Sequence, residues 1–505
     1  MNPPAGAIAS LNAFARSLEG WQIRSDAPPR LALLLYAAIG AACSGTVAGQ
    51  DRDSGAALDA AGSADAGFST ADSGALPSDA GIADAGSPDL GAPDLGVADV
   101  APPDTGASRC LDYDAGLLGP TGATRMLAPG DTLAAVLGAA QAGDRVVVQG
   151  GSYPAETLSS SFASDVLIEA AAGATPVFHG LTLNGAAHLI FRGIHFDGTV
   201  TLQAAHDLVF DRVNLDVGAR DVSGLEIFNS RGASHDVLVL RSRIAGGART
   251  IFFGGRFGLE VTWNHHVEFR QNELICGTHN CFQLSGGRDV LIEDNDFHDP
   301  QGAGVLTAGA TRVVIARNRM LGGGVMAPAI QLATPGKEWD NYAGVEYMIS
   351  SDITVANNLI VGWGGSGIEL DAVDDIKIVY NTIASGAGLH TWARTPHDQQ
   401  DNVILSGNHN VKLWNNILTS ISLDAADPRP VLESNNLVER GGGGQNLYTG
   451  AASYEDQTSY APQAGSPAID HAMVDVLTPL VDRRGSPRGP TPDLGAYERE
   501  AAPCP

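Results

Sequence analysis

The chain has 505 residues and a formal net charge of −27, with 17% charged and only 6% aromatic residues. A balance so acidic excludes non-specific nucleic-acid binding, which depends on a basic surface, and any polyanionic ligand would need a local cation. The 62 glycines, spread along a chain that is 44% hydrophobic, point to many tight turns between short buried segments.

Taken in chain order, the first region is 1–43. Arg24 and Arg30 precede the apolar run Leu31–Ile39, too short to span a bilayer as a mature helix and of the kind found in export signals. The run ends Gly40-Ala-Ala-Cys43, which resembles a bacterial lipoprotein signal and implies lipidation at Cys43. Residues 44–108 form the second region. From Asp51 to Ser108 there are eleven aspartates against the single Arg52, in a background of Ala, Gly, Ser and Pro. Such a tract cannot bury a core, and its like charges extend it into a tether.

The third region is 109–440. It opens with Pro129–Tyr153, read as a short capping helix followed by a first strand. Beyond it, six asparagines (Asn272, Asn295, Asn318, Asn358, Asn381 and Asn416) share one frame: a polar residue, three alternating apolar positions, then Asn and an apolar residue. Asp289-Val-Leu-Ile-Glu-Asp-Asn-Asp-Phe297 is one copy; looser copies start at His188, Asp207, Asp236, His266 and Asn410. The intervals are 23, 23, 40, 23 and 35 residues, so a coil of about 23 residues carries two insertions. Alternation is the strand period, and such a coil has room for three strands and three turns. The expected fold is all-β, a parallel β-helix whose asparagines form a buried hydrogen-bonded ladder. The fourth region, 441–505, contains Ser466-Pro-Ala-Ile-Asp470, Asp482–Arg488 and Pro492–Glu498 and is read as an irregular tail capping the solenoid.

With the ladder, the cap segment and these tail segments as its basis, the chain resembles the right-handed parallel β-helix proteins of the pectate lyase-like superfamily. That resemblance implies an exported or cell-surface monomer acting on extracellular polysaccharide, with chemistry on the outer face of one sheet beside lengthened turns. Signatures of particular members are missing. There is neither the Gly-Asp-Asp nor the Gly-His-Gly of polygalacturonases, and Asp299-Pro300 is followed by Gln301 where mannuronan epimerases have His.

Gln283, Gln331, Glu369 and His390 occupy equivalent outward strand positions, beside two insertions that carry Lys337, Trp339 and Tyr342, and Trp392, Arg394 and His397. The expectation is a carbohydrate cleft. In it Lys337 or His390 is the base, and Arg394 or Ca²⁺ held by Glu369 and Asp371 the electrophile, of a polysaccharide lyase. Gln283, Gln331, Trp339, Tyr342, Trp392 and His397 bind sugar, and Glu369, Asp371 and Asp374 hold Ca²⁺. A glycoside hydrolase, and a non-catalytic adhesion module needing only the aromatics, stand as alternatives. His279, Asn280, His298 and Asp299 form a second, weaker cluster. Cys276 and Cys281 are close enough in sequence to form a disulfide, and Cys110 and Cys504 could pair only if the tail runs back along the solenoid.

Overall fold

The computed structural model describes residues 121–218, 222–254, 263–322, 326–337, 348–384, 386–398, 400–427, 431–441, 448–456 and 460–499. Cys43, Cys110, Cys504, Trp339 and Tyr342 lie outside these residues. Contacts divide the chain into 1–89 and 90–505, and all described residues belong to the second unit.

One coil shows how the sequence builds the fold. Ser366–Asp371 forms a strand of the first sheet, Asp374–Val379 of the second and Thr382–Ala384 of the third; Ala387–Trp392 then returns to the first sheet, one coil on. Each strand pairs in parallel with its copy in the next coil, so Ile368 meets Leu389, Ile376 meets Val411 and Ile383 meets Leu418. The apolar member of each alternation points inward. The first sheet's inner column runs Leu225, Ile251, Phe282, Val305, Ile330, Ile368 and Leu389, all buried in one continuous core. Thirty-four strands join in this way among the described residues.

The polar residue opening each repeat has a backbone role. His188, Asp207, Asp236, His266, Asp289, Arg312, Asp352, Asp375 and Asn410 all have φ between 49° and 57°. Left-handed backbone at this point turns the chain from the first sheet into the second, and Asp and Asn tolerate it better than most residues.

At the next corner the asparagines stack. Asn272, Asn295, Asn318, Asn358, Asn381 and Asn416 each donate from Nδ2 to Oδ1 of the Asn one coil on, over 2.9–3.1 Å. The ladder's last rung is Asn436, a seventh member missed because its interval is 20 residues. At the other end Ser242 stands in the frame, its N–H donating to Asn272 Oδ1.

The cap is a strand, Thr124–Leu127, and a helix, Leu133–Gly138, with Thr132 as N-cap. The buried Glu156 carboxylate from the coil beneath accepts from Leu133 N at 2.7 Å, meeting the helix's positive end. The tail runs back along the ladder corner. His471 O accepts from Asn435, Met473 exchanges two hydrogen bonds with Asn415, Val481 O accepts from Asn357, and Arg483 approaches Asn318 O. Asn357, Asn415 and Asn435 immediately precede ladder residues, so their side chains hold the tail while their neighbours hold the ladder.

Candidate functional site

The first sheet's outer face carries an unbroken register: Thr157, Thr182, Thr201, Glu226, Phe252, Gln283, Leu306, Gln331, Glu369, His390 and Ser422. The four residues expected in one column are therefore in one column. It also includes outward Leu306, between Gln283 and Gln331. From Glu226 to His390 the column spans six coil steps, about 29 Å at the ordinary inter-strand spacing.

Two clusters stand on it. In the C-terminal one, Gln331 Nε2 donates to Glu369 Oε1 at 2.9 Å. Burial raises the Glu369 carboxyl above its ordinary value, opposed by hydrogen bonds from Trp392 and Gln331 and by the charge of Arg394. On the neighbouring coil, burial lowers His390, and its Nε2 is buried without a hydrogen-bond partner. Trp392, 41% exposed, sets its ring edge-on to His390 with centroids 4.4 Å apart.

The two lengthened turns meet beside this cluster. Lys337 N donates to His397 O at 2.8 Å, and Arg394 Nη2 to Thr334 O at 2.9 Å. The second turn is itself braced, with Ile404 N donating to Pro396 O and the Asp398 carboxylate accepting from Asn402.

Two roles expected of these residues change in the structure. Lys337 is exposed and its ammonium pairs with Asp401 of the other turn, so it braces the loops where a base was expected. The expected Ca²⁺ ligands do not converge. Asp371 forms an ion pair with Arg394 at 2.9 Å, while Asp374 opens a second-sheet strand, beyond the corner at Ala372, and accepts from Asn410. No group of three or more His, Cys, Asp or Glu among the described residues is arranged to hold a metal ion. The same ion pair commits Arg394 to Asp371.

In the N-terminal cluster, Arg249 Nε donates to Gln283 Oε1 at 2.6 Å, with its guanidinium 4.8 Å from the Phe252 ring centroid. Asn280 Nδ2 reaches the same oxygen at 3.2 Å. Burial raises Glu226, and burial with Arg249 nearby lowers His279. Sequence reasoning missed Glu226, Arg249 and Phe252, although the alternation in Ser223–Phe228 and Arg249–Gly254 puts Glu226 and Phe252 on the same outward face; Arg249 opens its strand at a position of inward parity and could not be found this way. Of the weaker expected cluster, His279 and Asn280 flank this site, whereas His298 pairs with Asp296 on the third sheet. Cys276 and Cys281 form a disulfide across the turn between these sheets.

Residues 257–455 match the family model described as "Right handed beta helix region". The fold is a right-handed parallel β-helix. A comparison with curated proteins gives no match. Among solved structures, a pectate lyase is 16% identical with TM-score 0.44, covering 75% of this chain and 97% of its own. A PL6 family alginate lyase is 12% identical with TM-score 0.47, covering 70% and 58% respectively. The surface protein and adhesin PfbA of Streptococcus pneumoniae is 14% identical with TM-score 0.36, covering 61% and 90%. These identities speak to the fold alone.

Proposed function

We propose that the chain is an exported β-helix protein that cleaves an extracellular, uronate-containing polysaccharide on the first sheet's outer face. The observation carrying this reading is the Glu369–His390 pair. The two residues are in register on adjacent coils, and burial moves one up from 4.5 and the other down from 6.5. The shifts narrow the gap between a carboxyl and an imidazole, the condition for an acid and a base to act together near one pH. The His390 imidazole takes the proton α to the uronate carboxylate, and Glu369 protonates the departing glycosidic oxygen. The C–O bond breaks as a C=C bond forms. Trp392 offers a sugar-stacking face, and the 29 Å column accommodates several sugar units. Arg394, held by Asp371, adds positive potential beside the pair. Calcium is not part of this proposal, because the carboxylates expected to hold it do not come together. Export rests on the apolar run before Cys43, and the Asp-rich tract then serves as a tether.

The test is a panel of polyuronates with the full chain, followed by the ultraviolet absorbance of the unsaturated product. His390→Ala and Glu369→Gln should each lower kcat/KM at least ~100-fold, whereas Lys337→Ala stays within ~5-fold and EDTA has no effect. Glycan binding without product on any substrate would transfer the reading to a non-catalytic adhesion module.

A further inference from the structure

A second constellation lies on the third sheet, near the N-terminal cap. Ser152 Oγ is 2.6 Å from His179 Nε2, and His179 Nδ1 is 2.8 and 2.9 Å from the two carboxylate oxygens of Asp197. The three residues come from three successive coils: Ser152 from the strand Gly151–Tyr153, His179 directly after Pro176–Phe178, and Asp197 directly after His195–Phe196. A carboxylate can only accept, so His179 carries its proton on Nδ1, leaving the Nε2 lone pair to accept from the Ser152 hydroxyl. Nucleophile, base and orienting carboxylate thus stand in the order that activates serine.

The interior holds this arrangement in place. Beneath it Tyr153 stacks on Phe178 with centroids 4.7 Å apart, and Phe178 meets Phe196 at 5.9 Å, fixing how the three coils sit on one another. Gly198 completes the fit, because a Cβ there would overlap the carbonyl oxygen of His179. His179 N donates to Tyr153 O. Strand alternation therefore directs the N–H of Ser152 away from the next coil, to the side of its hydroxyl remote from His179.

We propose that Ser152, His179 and Asp197 form an esterase site, distinct from the first-sheet column and independent of the lyase reading. Its substrate class is a small acyl ester carried on a polymer, such as an O-acetylated polysaccharide. Ser152 and His179 are exposed on a sheet face, which suits an ester projecting from a large chain. Ser152 Oγ adds to the ester carbonyl carbon as its proton passes to His179 Nε2. The Ser152 N–H donates to the oxyanion. The C–O bond to the alcohol breaks, His179 returns its proton to that alcohol, and water repeats the sequence to free the acid and restore the serine. No oxidant, reductant or metal enters the balance.

The full chain is incubated with a fluorophosphonate probe and digested for peptide mass spectrometry, and acetate release from O-acetylated polysaccharides is followed in parallel. The expected result is an adduct on Ser152, with labelling and acetate release both falling at least ~100-fold in His179→Ala and strongly in Asp197→Asn. Unfolding midpoints should stay at the wild-type value, which separates loss of chemistry from loss of fold. Absence of an adduct on Ser152, or equal labelling rates in wild type and His179→Ala, would overturn the nucleophile. Labelling without acetate release from any acetylated polymer would overturn the substrate class.

Discussion

Asn318→Ala removes the side chain from the middle of the ladder, and its cost can be worked bond by bond. Asn318 is fully buried. Its Oδ1 accepts from Asn295 N and from Asn295 Nδ2, both at 3.0 Å. Its Nδ2 donates to Asn358 Oδ1 at 3.0 Å and to Ile292 O at 2.8 Å. After truncation, Asn358 Oδ1 still receives the Asn318 N–H and Asn295 Nδ2 still reaches Phe269 O. The Asn295 N–H and one proton of its amide lose the partner they share. At roughly 1–3 kcal/mol for each unsatisfied buried group, the expected loss is about 2–6 kcal/mol. Equilibrium urea unfolding of the full chain, followed by circular dichroism, measures this from the shift in midpoint at unchanged slope. Asn318→Asp should also destabilise, since it keeps the acceptor but loses both donations. A loss below ~1 kcal/mol for Asn318→Ala would refute the argument that the ladder is held by saturated hydrogen bonding.

Two further outcomes follow from the same structure and a third from the sequence. Arg488 has a side chain only 2% exposed, packs over the Tyr380 ring at 4.2 Å and donates to Asn357, Asp493, Gly495 and Glu498. Arg488→Met should therefore weaken tail docking by about 3–5 kcal/mol, read as faster proteolytic cleavage between 460 and 499. His265 stacks in register with His235 at 4.9 Å, and burial, with Arg288 nearby, lowers it from 6.5 to about 4. Its neutral form is the folded form, so its contribution is complete above pH 6.5 and is lost as pH falls toward 4. His265→Gln should flatten the melting temperature in that window relative to wild type, and identical pH profiles would contradict it. Cys43→Ser should move the protein from the membrane fraction to the soluble one, and an unmodified mature N-terminus elsewhere would reject lipidation.

The parallel β-helix architecture was legible because its determinants are local and repeated. Each coil carries its own alternation and its own polar residue for the left-handed corner, and from Asn272 onward its own ladder asparagine, so one coil's sequence specifies its shape and the period specifies the stacking. Glu369 and His390 could be placed side by side for the same reason, since their strands begin at the same point of the repeat. The fate of the long turns could not be read this way. Lys337 pairs with Asp401, 64 residues away, and Arg394 with Asp371, because the two turns rise from coils two steps apart, on either side of the short turn after Asp371, and converge outside the repeat. Nothing in the spacing of either turn encodes that convergence. Ser152, His179 and Asp197 were invisible for a related reason. Their separations of 27 and 18 residues depart from the period, and coil stacking restores the alignment by absorbing the difference in the turns. The return of the tail along Asn435, Asn415 and Asn357 likewise needed the folded ladder first, because those side chains form one continuous edge only after the coils are stacked.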